Sequence, residues 1–277
     1  MHDPPGMYNL LFRTVWETLE QFSWTNLQAE TGVIAVLHTW GQNLSLHPHL
    51  HCIVPGGGLD IKGHWKQVRI SKTGKAYLFP VENLSTVFRA KFIAALNKRR
   101  QLESSFEREL KKTNWVVYAK EPFGGPQQVV EYLGRYTHKT AISNHRLLSI
   151  DENGVRFNYH DYRDNRQKKM TLSGIEFLRR FCQHILPRGY VRIRHFGLLS
   201  ATKRGQLRSI QRTLGVVNTI GNIKKDWKQI CRDHLSYDPD LCPHCKKGKM
   251  ITIERSGPVR GPPLKAINPK DATRKQQ

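Results

Sequence analysis

Acidic residues are scarce in this chain of 277 residues, which holds 22 of them against 45 lysines and arginines. The resulting net charge of +23 is unevenly placed, because residues 1–61 carry −4 and residues 62–277 carry +27. Such a field attracts polyanions, and nucleic acid is the commonest polyanionic partner. An anionic membrane fits less well, since no long basic amphipathic helix is evident. The charge therefore predicts a nucleic-acid-binding protein.

Long apolar runs and paired cysteines are also lacking. No hydrophobic run approaches the length of a membrane span, and the start, MHDPPGMYNLLF, lacks the charged and apolar regions of a signal peptide. The 5 cysteines are odd in number and scattered, which does not fit a secreted disulfide framework. These absences argue against a membrane partner and predict a cytoplasmic protein.

Apolar spacing predicts a mixture of helices and strands, and a hydrophobic fraction of 38% suffices for a packed core. Helices are predicted at 9–22, at 85–100 with Ser85 as N-cap, at 126–138, and from Ser173 through Ile185 with Phe177, Phe181 and Ile185 inward. Strands are predicted at 32–38, 49–54 and 115–120, with a hairpin around Gly154. We therefore expect an α+β fold, in which a central antiparallel sheet is covered by helices, strand 49–54 lies mid-sheet and helix 126–138 packs beside it.

The densest polar chemistry lies in the segment HPHLHC, where His47, His49 and His51 recur at every second position. Alternate side chains of a strand point to the same face, so His49 and His51 can bind one metal ion together. Leu50 then points into the opposite, apolar layer. Histidine pairs at this spacing arise by chance, and a hydrogen-bonded histidine on a half-buried strand is the alternative interpretation.

Tyr132 and Tyr136 form a second group, in YLGRYTHK. A spacing of four on a helix puts both hydroxyls on one face, although aromatic pairs at this spacing usually pack a core. Gly134 is costly inside a helix, which suggests that something bulky, such as a DNA strand, approaches there. Arg135 and Lys139 are candidates for holding phosphates on the adjacent face.

Together the histidine and tyrosine motifs resemble the HUH endonucleases, which pair a His-hydrophobic-His motif with one or two catalytic tyrosines. Three blocks, at residues 37–59, 132–147 and 175–199, look like the two-tyrosine rolling-circle transposases of the insertion-sequence ninety-one family. The resemblance runs from about residue 8 to residue 215. It implies transposition in a prokaryotic, nucleoid-associated setting, with nicking and rejoining of single-stranded DNA through a 5′-phosphotyrosine intermediate.

Residue by residue, the resemblance makes His49 and His51 metal ligands and makes Tyr132 and Tyr136 the nucleophile pair. In related replication initiators a third ligand, an acidic or amide residue, lies seven or eight positions before the first histidine of the motif. Gln42 occupies this position in the present sequence, seven residues before His49. An amide oxygen suits Mg²⁺ or Mn²⁺. Three rivals for the third ligand stay open: Glu131, His138 and His47.

The C-terminal part changes in character, since residues 201–277 carry +11 and end in a segment typical of a disordered basic tail. We predict a catalytic domain at 1–200 and a basic extension at 201–277. Cys242 and Cys245 resemble half a zinc knuckle, and Cys231 and His234 would complete a four-ligand Zn²⁺ site. The alternative is a pair of reduced, exposed thiols.

The family usually begins with a cysteine-rich zinc-binding domain, and nothing of that kind precedes Tyr8 in this sequence. The chain therefore resembles a truncated copy, and a catalytically decayed DNA-binding remnant of a transposon is the alternative function. A phosphoesterase acting on RNA ends is a third reading, for which residues 138–140 supply one partial His-x-Thr motif. Covalent capture of DNA distinguishes these functions.

Overall fold

The computed structural model describes residues 3–68, 78–137, 140–216, 226–235 and 237–251. Its helices are α1 (Pro4–Leu27), α2 (Val81–Arg100), α3 (Ser104–Lys112), α4 (Pro126–Thr137), α5 (Gly174–Cys182), α6 (Arg204–Thr213) and α7 (Trp227–Leu235). Its strands are β1 (Gly32–Trp40), β2 (Leu46–Ile53), β3 (Gly57–Leu59), β4 (Trp65–Gln67), β5 (Leu147–Asp151), β6 (Gly154–Asp161), β7 (Arg166–Leu172) and β8 (Ile193–Gly197). No described helix has the length and apolar character needed to cross a bilayer.

Every strand pair within the sheets is antiparallel, and the strands form three small sheets ordered β2-β1-β8, β3-β4 and β5-β6-β7. The predicted α+β class with helices covering antiparallel strands is confirmed, and it agrees with an HUH endonuclease-like fold. The chain divides into two compact units, Met1–Val216 and Val217–Gln277. This division falls 16 residues beyond the predicted boundary at 200.

Helix α1 covers one face of the sheet that carries the histidines. Asp3 caps the helix by accepting from the Gly6 amide, and a proline follows at the first helical position, where it has no amide to leave unpaired. Phe12 and Tyr8 pack against Leu37 of β1, and Leu50 of β2 joins the same cluster. The prediction that Leu50 points into an apolar layer is therefore correct, and the histidines on either side of it take the opposite face.

Strand β2, which carries His49 and His51, lies at the edge of the described three-stranded sheet, and β1 lies in its middle. The prediction of a mid-sheet histidine strand was wrong. Burial explains the order, because nearly every residue of β1 is buried or half-buried, whereas β2 begins with exposed side chains. A strand that is buried on both faces takes the centre.

Three further predicted details differ from the structure. Residues 115–120 form no described strand, and Val116 and Tyr118 are exposed, since β-forming side chains alone do not supply a partner strand. Helix α2 begins at Val81, one turn before Ser85, whose hydroxyl donates to the Trp115 carbonyl instead of capping the helix. The helix capped by Ser173 ends at Cys182, so Ile185 is exposed.

Candidate active site

The β1–β2 hairpin brings three histidines to one face of the sheet. His38 on β1 lies directly opposite His49 on β2, and His51 lies two residues further along β2, opposite Val36. Since side chains alternate along each strand, His38, His49 and His51 share the face that α1 leaves uncovered. One nitrogen of each ring lies within 4.8 Å of the others. Ligand nitrogens lie about 2 Å from a bound ion, so this spacing allows one ion between them.

Hydrogen bonds to backbone carbonyls fix the tautomers of two of these rings. Nε2 of His38 donates to the Tyr136 carbonyl at 2.8 Å, and Nδ1 of His49 donates to the His47 carbonyl at 2.7 Å. A carbonyl oxygen only accepts, so the opposite nitrogen of each ring keeps its lone pair. Metal-binding histidines characteristically donate their second ring N–H in this way. The chemistry of the donor set therefore fits a divalent metal ion, as does the burial of His38, which is 2% exposed.

Helix α4 lays both candidate nucleophiles against the histidines. The Tyr132 hydroxyl lies 3.1 Å from Nδ1 of His51, and the ring of Tyr136 lies 4.2 Å from the His51 ring, centroid to centroid. The two tyrosine rings are 4.3 Å apart, and Phe123 packs on the other side of Tyr132. The structure thus brings together His49, His51, Tyr132 and Tyr136 as the sequence predicted.

Burial dominates the protonation of Tyr132. It raises the pKa of the hydroxyl to about 12, and the neighbouring Tyr136 and Cys52 add to the rise. A tyrosine with this pKa is neutral at pH 7, so its oxygen attacks only once its proton is taken or the phenolate is stabilised. The described hydrogen-bond partner of the Tyr132 oxygen is Nδ1 of His51.

Two side chains secure the C-terminal end of α4 to the histidine strand. The carbonyl of Tyr136 accepts from His38, and the carbonyl of Thr137 accepts from the guanidinium of Arg192. The carbonyl of Arg192 in turn accepts from the Leu37 amide at 2.9 Å, beside His38 in the chain. The tyrosine helix and the histidine strand are therefore held in one fixed relation.

The other predicted site residues lie around this centre. The Gln42 amide nitrogen donates to the Tyr162 hydroxyl at 3.1 Å, and His38 is the third histidine of the described cluster that could hold a metal ion. Glu131 is exposed and accepts from Gln127, and the His47 side chain is exposed. Arg135 is exposed on α4. His138 and Lys139 lie outside the described residues.

His38 is the site residue that the sequence interpretation missed. A turn over the segment GQNLS pairs Trp40 with Leu46, and a regular hairpin would then put position 38 opposite position 48. A one-residue shift in register between His38 and Trp40 brings His38 opposite His49 instead, so motif spacing and turn length do not identify this histidine.

The second unit contains a turn closed around two cysteines. The Cys242 amide donates to the Gly248 carbonyl at 2.7 Å, and the Gly248 amide donates to Sγ of Cys245 at 3.3 Å. Backbone amides of Gly248 and Lys247 lower the pKa of the Cys245 thiol. Cys231 lies on α7, and the side chain of His234 is outside the described part of the chain. The four-ligand zinc set therefore stays a prediction.

Comparison with known proteins identifies relatives of this chain. The family model described as "Putative transposase" (Y2_Tnp) matches residues 32–206, which include the histidine hairpin and α4. A "Putative transposase y4qJ" of Sinorhizobium fredii is 43% identical over 93% of this chain and 70% of its own length. The "Transposase for insertion sequence element IS801" of Pseudomonas savastanoi pv. phaseolicola is 29% identical over 82% of this chain and 57% of its own length. No solved structure matches the chain significantly.

Proposed function

This chain belongs to the Y2_Tnp family of transposases, and we propose that it nicks and rejoins single-stranded DNA through a covalent tyrosine intermediate. The observation that carries the proposal is the contact of 3.1 Å between the Tyr132 hydroxyl and His51, one of three histidines that can share a metal ion. A nucleophile beside a metal-binding ring is the arrangement that phosphodiester transfer requires.

A divalent ion held by His38, His49 and His51 would polarise a non-bridging phosphate oxygen and offset the charge that repels a nucleophile. Three imidazole nitrogens favour a transition metal over Mg²⁺, whose preferred ligands are oxygens. Of the two ions predicted from the sequence, Mn²⁺ is therefore the better fit to the described ligands. An oxygen ligand such as that of Gln42 is not needed to complete a set of three.

His51 has a second role in this proposal. Nδ1 of His51 contacts the Tyr132 hydroxyl, and in this proposal Nε2 is the ligand nitrogen. A ring that ligates through Nε2 carries its proton on Nδ1 and donates it to the tyrosine oxygen. That hydrogen bond stabilises the phenolate against the burial that opposes it. Metal binding and nucleophile activation are thereby connected through one imidazole.

The proposed reaction replaces one phosphate ester with another, so it needs no external energy source such as ATP. The tyrosine oxygen forms a bond to phosphorus, the bond from phosphorus to the 3′ oxygen breaks, and the proton released by the tyrosine leaves to water while the 3′ oxygen gains one. Rejoining reverses these steps, since the phosphotyrosine ester conserves the energy of the cut bond. With Tyr136 one helical turn from Tyr132, a second 5′ end can be held beside the same ion.

Covalent capture on a 3′-end-labelled single strand tests the proposal, because the fragment that stays on the tyrosine carries the 3′ end. Wild-type protein with Mn²⁺ is expected to form an adduct that survives a denaturing gel. Each single variant, Tyr132→Phe and Tyr136→Phe, should still form some adduct but fail to complete exchange between two ends, and the double variant should form none. Tyr118→Phe is the matched control, because Tyr118 is exposed and its ring makes no described contact with the histidines.

Two outcomes contradict the proposal in different ways. An adduct in the double variant means that another residue is the nucleophile. DNA binding without an adduct in any protein, wild type included, supports a remnant that has kept affinity and lost chemistry.

A further inference from the structure

Helix α6 carries a row of arginines on its exposed side. Arg204, Arg208 and Arg212 are spaced by four residues, so they follow one another along the helix at about 6 Å per step. All three are exposed, and none forms an ion pair or a side-chain hydrogen bond with a described residue. We refer to these three side chains as the arginine row.

The opposite side of α6 is anchored to the first compact unit. Ile210 is buried and packs with Leu59 and Leu198. At 100° per residue, Arg208 and Arg212 each lie about 200° around the helix from Ile210, so packing of the apolar side directs the row outward. The row is therefore a fixed feature of this unit.

Electrostatics within the helix oppose such a row. Like charges four residues apart destabilise a helix, and a cation in the first turn is unfavourable beside the positive end of the helix dipole. Arg204 occupies that first turn, and the segment RGQLRSIQRT contains no acidic residue to offset the three cations. A bound polyanion would remove this repulsion. The arginine row is one side chain wide, so it fits the single line of phosphates in the backbone of one nucleic-acid strand.

The row lies at the far end of strand β1 from the histidines. Leu198, which packs with Ile210, follows Gly197, the residue that pairs with Gly32 at the start of β1. His38 is six residues further along β1, which corresponds to about 20 Å. A stacked single strand rises about 3.4 Å per nucleotide, so about six nucleotides span this distance.

We propose that the arginine row binds the backbone of the same single strand whose scissile phosphate lies at the candidate active site. This inference rests on the proposed function, since it takes the strand to be held near His38 at one end. A strand of roughly ten nucleotides reaches both places, because the row itself adds about 12 Å. A shorter strand occupies the active site alone.

The test compares strand lengths with the triple variant Arg204→Gln, Arg208→Gln, Arg212→Gln. Fluorescence anisotropy measures its binding, without chemistry, to labelled oligothymidylate of about 6 and about 24 nucleotides. We expect about tenfold weaker binding of the longer strand at 0.1 M salt and a salt slope lower by about 2, since each phosphate contact contributes about 0.7. Binding of the shorter strand should change less than about twofold.

The matched control removes three exposed cations elsewhere, with Lys98→Gln, Arg100→Gln and Arg108→Gln in α2 and α3. It lowers the net charge equally and should weaken binding of the longer strand less than the α6 variant does. A second variant with lysine at all three α6 positions keeps the charge and should restore most of the binding. Thermal unfolding of the α6 glutamine variant should occur at or above the wild-type temperature, because that variant loses the repulsion between the three cations.

Several results overturn the inference. One is that the α6 glutamine variant binds the longer strand as tightly as wild type does, and another is that the control variant loses as much affinity for that strand as the α6 variant. A third is that the affinity for the shorter strand falls as much as the affinity for the longer one, and a fourth is that only the affinity for duplex DNA falls. The proposed function is judged separately, because adduct formation on the shorter strand at saturating concentration should persist in the α6 variant. Failure of wild-type protein to form an adduct contradicts the proposed function even where the binding results agree with the row.

Discussion

The histidine hairpin of the first unit and the cysteine turn of the second both gather side chains of types that can bind metal, but they do so by different means. His38, His49 and His51 meet through pairing of two strands, and carbonyls of His47 and Tyr136 orient two of the rings. Cys242 and Cys245 instead lie within one turn, where backbone amides approach the sulfur. The first arrangement depends on tertiary structure, and the second is a property of a short segment.

This difference has a consequence for function. The hairpin places its rings against Tyr132 and Tyr136 of a distant helix, so an ion held there would lie beside the proposed nucleophiles. The cysteine turn is local to a short segment, and that segment, residues 242–248, contains no tyrosine. We therefore expect metal at the hairpin to govern chemistry and metal at the turn to govern only the stability of the second unit. Three variants test this contrast, taken from the largest expected effect to the smallest.

The largest effect is expected from His49→Ala combined with His51→Ala. Loss of a metal that polarises the phosphate removes several kcal/mol of transition-state stabilisation, so adduct formation should slow by about 10³-fold or more. The fold should persist, because both side chains lie away from the apolar face that packs on α1. Single-turnover adduct formation in Mn²⁺ and circular dichroism measure the two quantities. Adduct formation at the wild-type rate would remove these histidines from the chemistry.

An intermediate effect is expected from His38→Gln. This change removes one of three imidazoles and should weaken Mn²⁺ binding by at least about 10- to 100-fold, as measured by isothermal titration calorimetry. His47→Gln is the control, because the exposed His47 side chain is not in the cluster and its contribution is a backbone carbonyl. Binding should also weaken below about pH 6, since a ligating imidazole must be neutral. Equal affinities in the two variants would return the third ligand to Gln42 or another residue.

The smallest effect on chemistry is expected from Cys242→Ser combined with Cys245→Ser. If the turn holds zinc with Cys231 and His234, the variant should contain about one zinc ion fewer per chain, since four ligands bind one ion. Adduct formation should stay within about twofold of wild type, because the hairpin is untouched. Elemental analysis of purified protein and the capture assay provide the two readings. An unchanged zinc content would mean that Cys242 and Cys245 do not hold the ion. A loss of adduct formation would contradict the expectation that the cysteine turn does not affect the reaction.

Local pattern sufficed for most of the elements and for four of the five residues of the candidate site. The period of two in HPHLHC put His49 and His51 on one face with Leu50 opposite, and the spacing of four put Tyr132 and Tyr136 together on α4. Both follow from the geometry of a single element, which neighbouring structure does not alter. The Ser173 cap was likewise correct, because its bond to the Glu176 amide is local.

The remaining features depend on partners distant in the chain. Residues 115–120 have strand-forming side chains but no described ladder, and β2 takes the edge because β1 is the more deeply buried strand. The Gln42 side chain bonds to Tyr162, which is 120 residues away, while hairpin register delivers His38 to the metal-binding rings. The sequence by itself determined which side chains share a face within one strand or helix. Only the tertiary structure decided which faces meet, because packing and strand register are settled among segments that a local pattern does not connect.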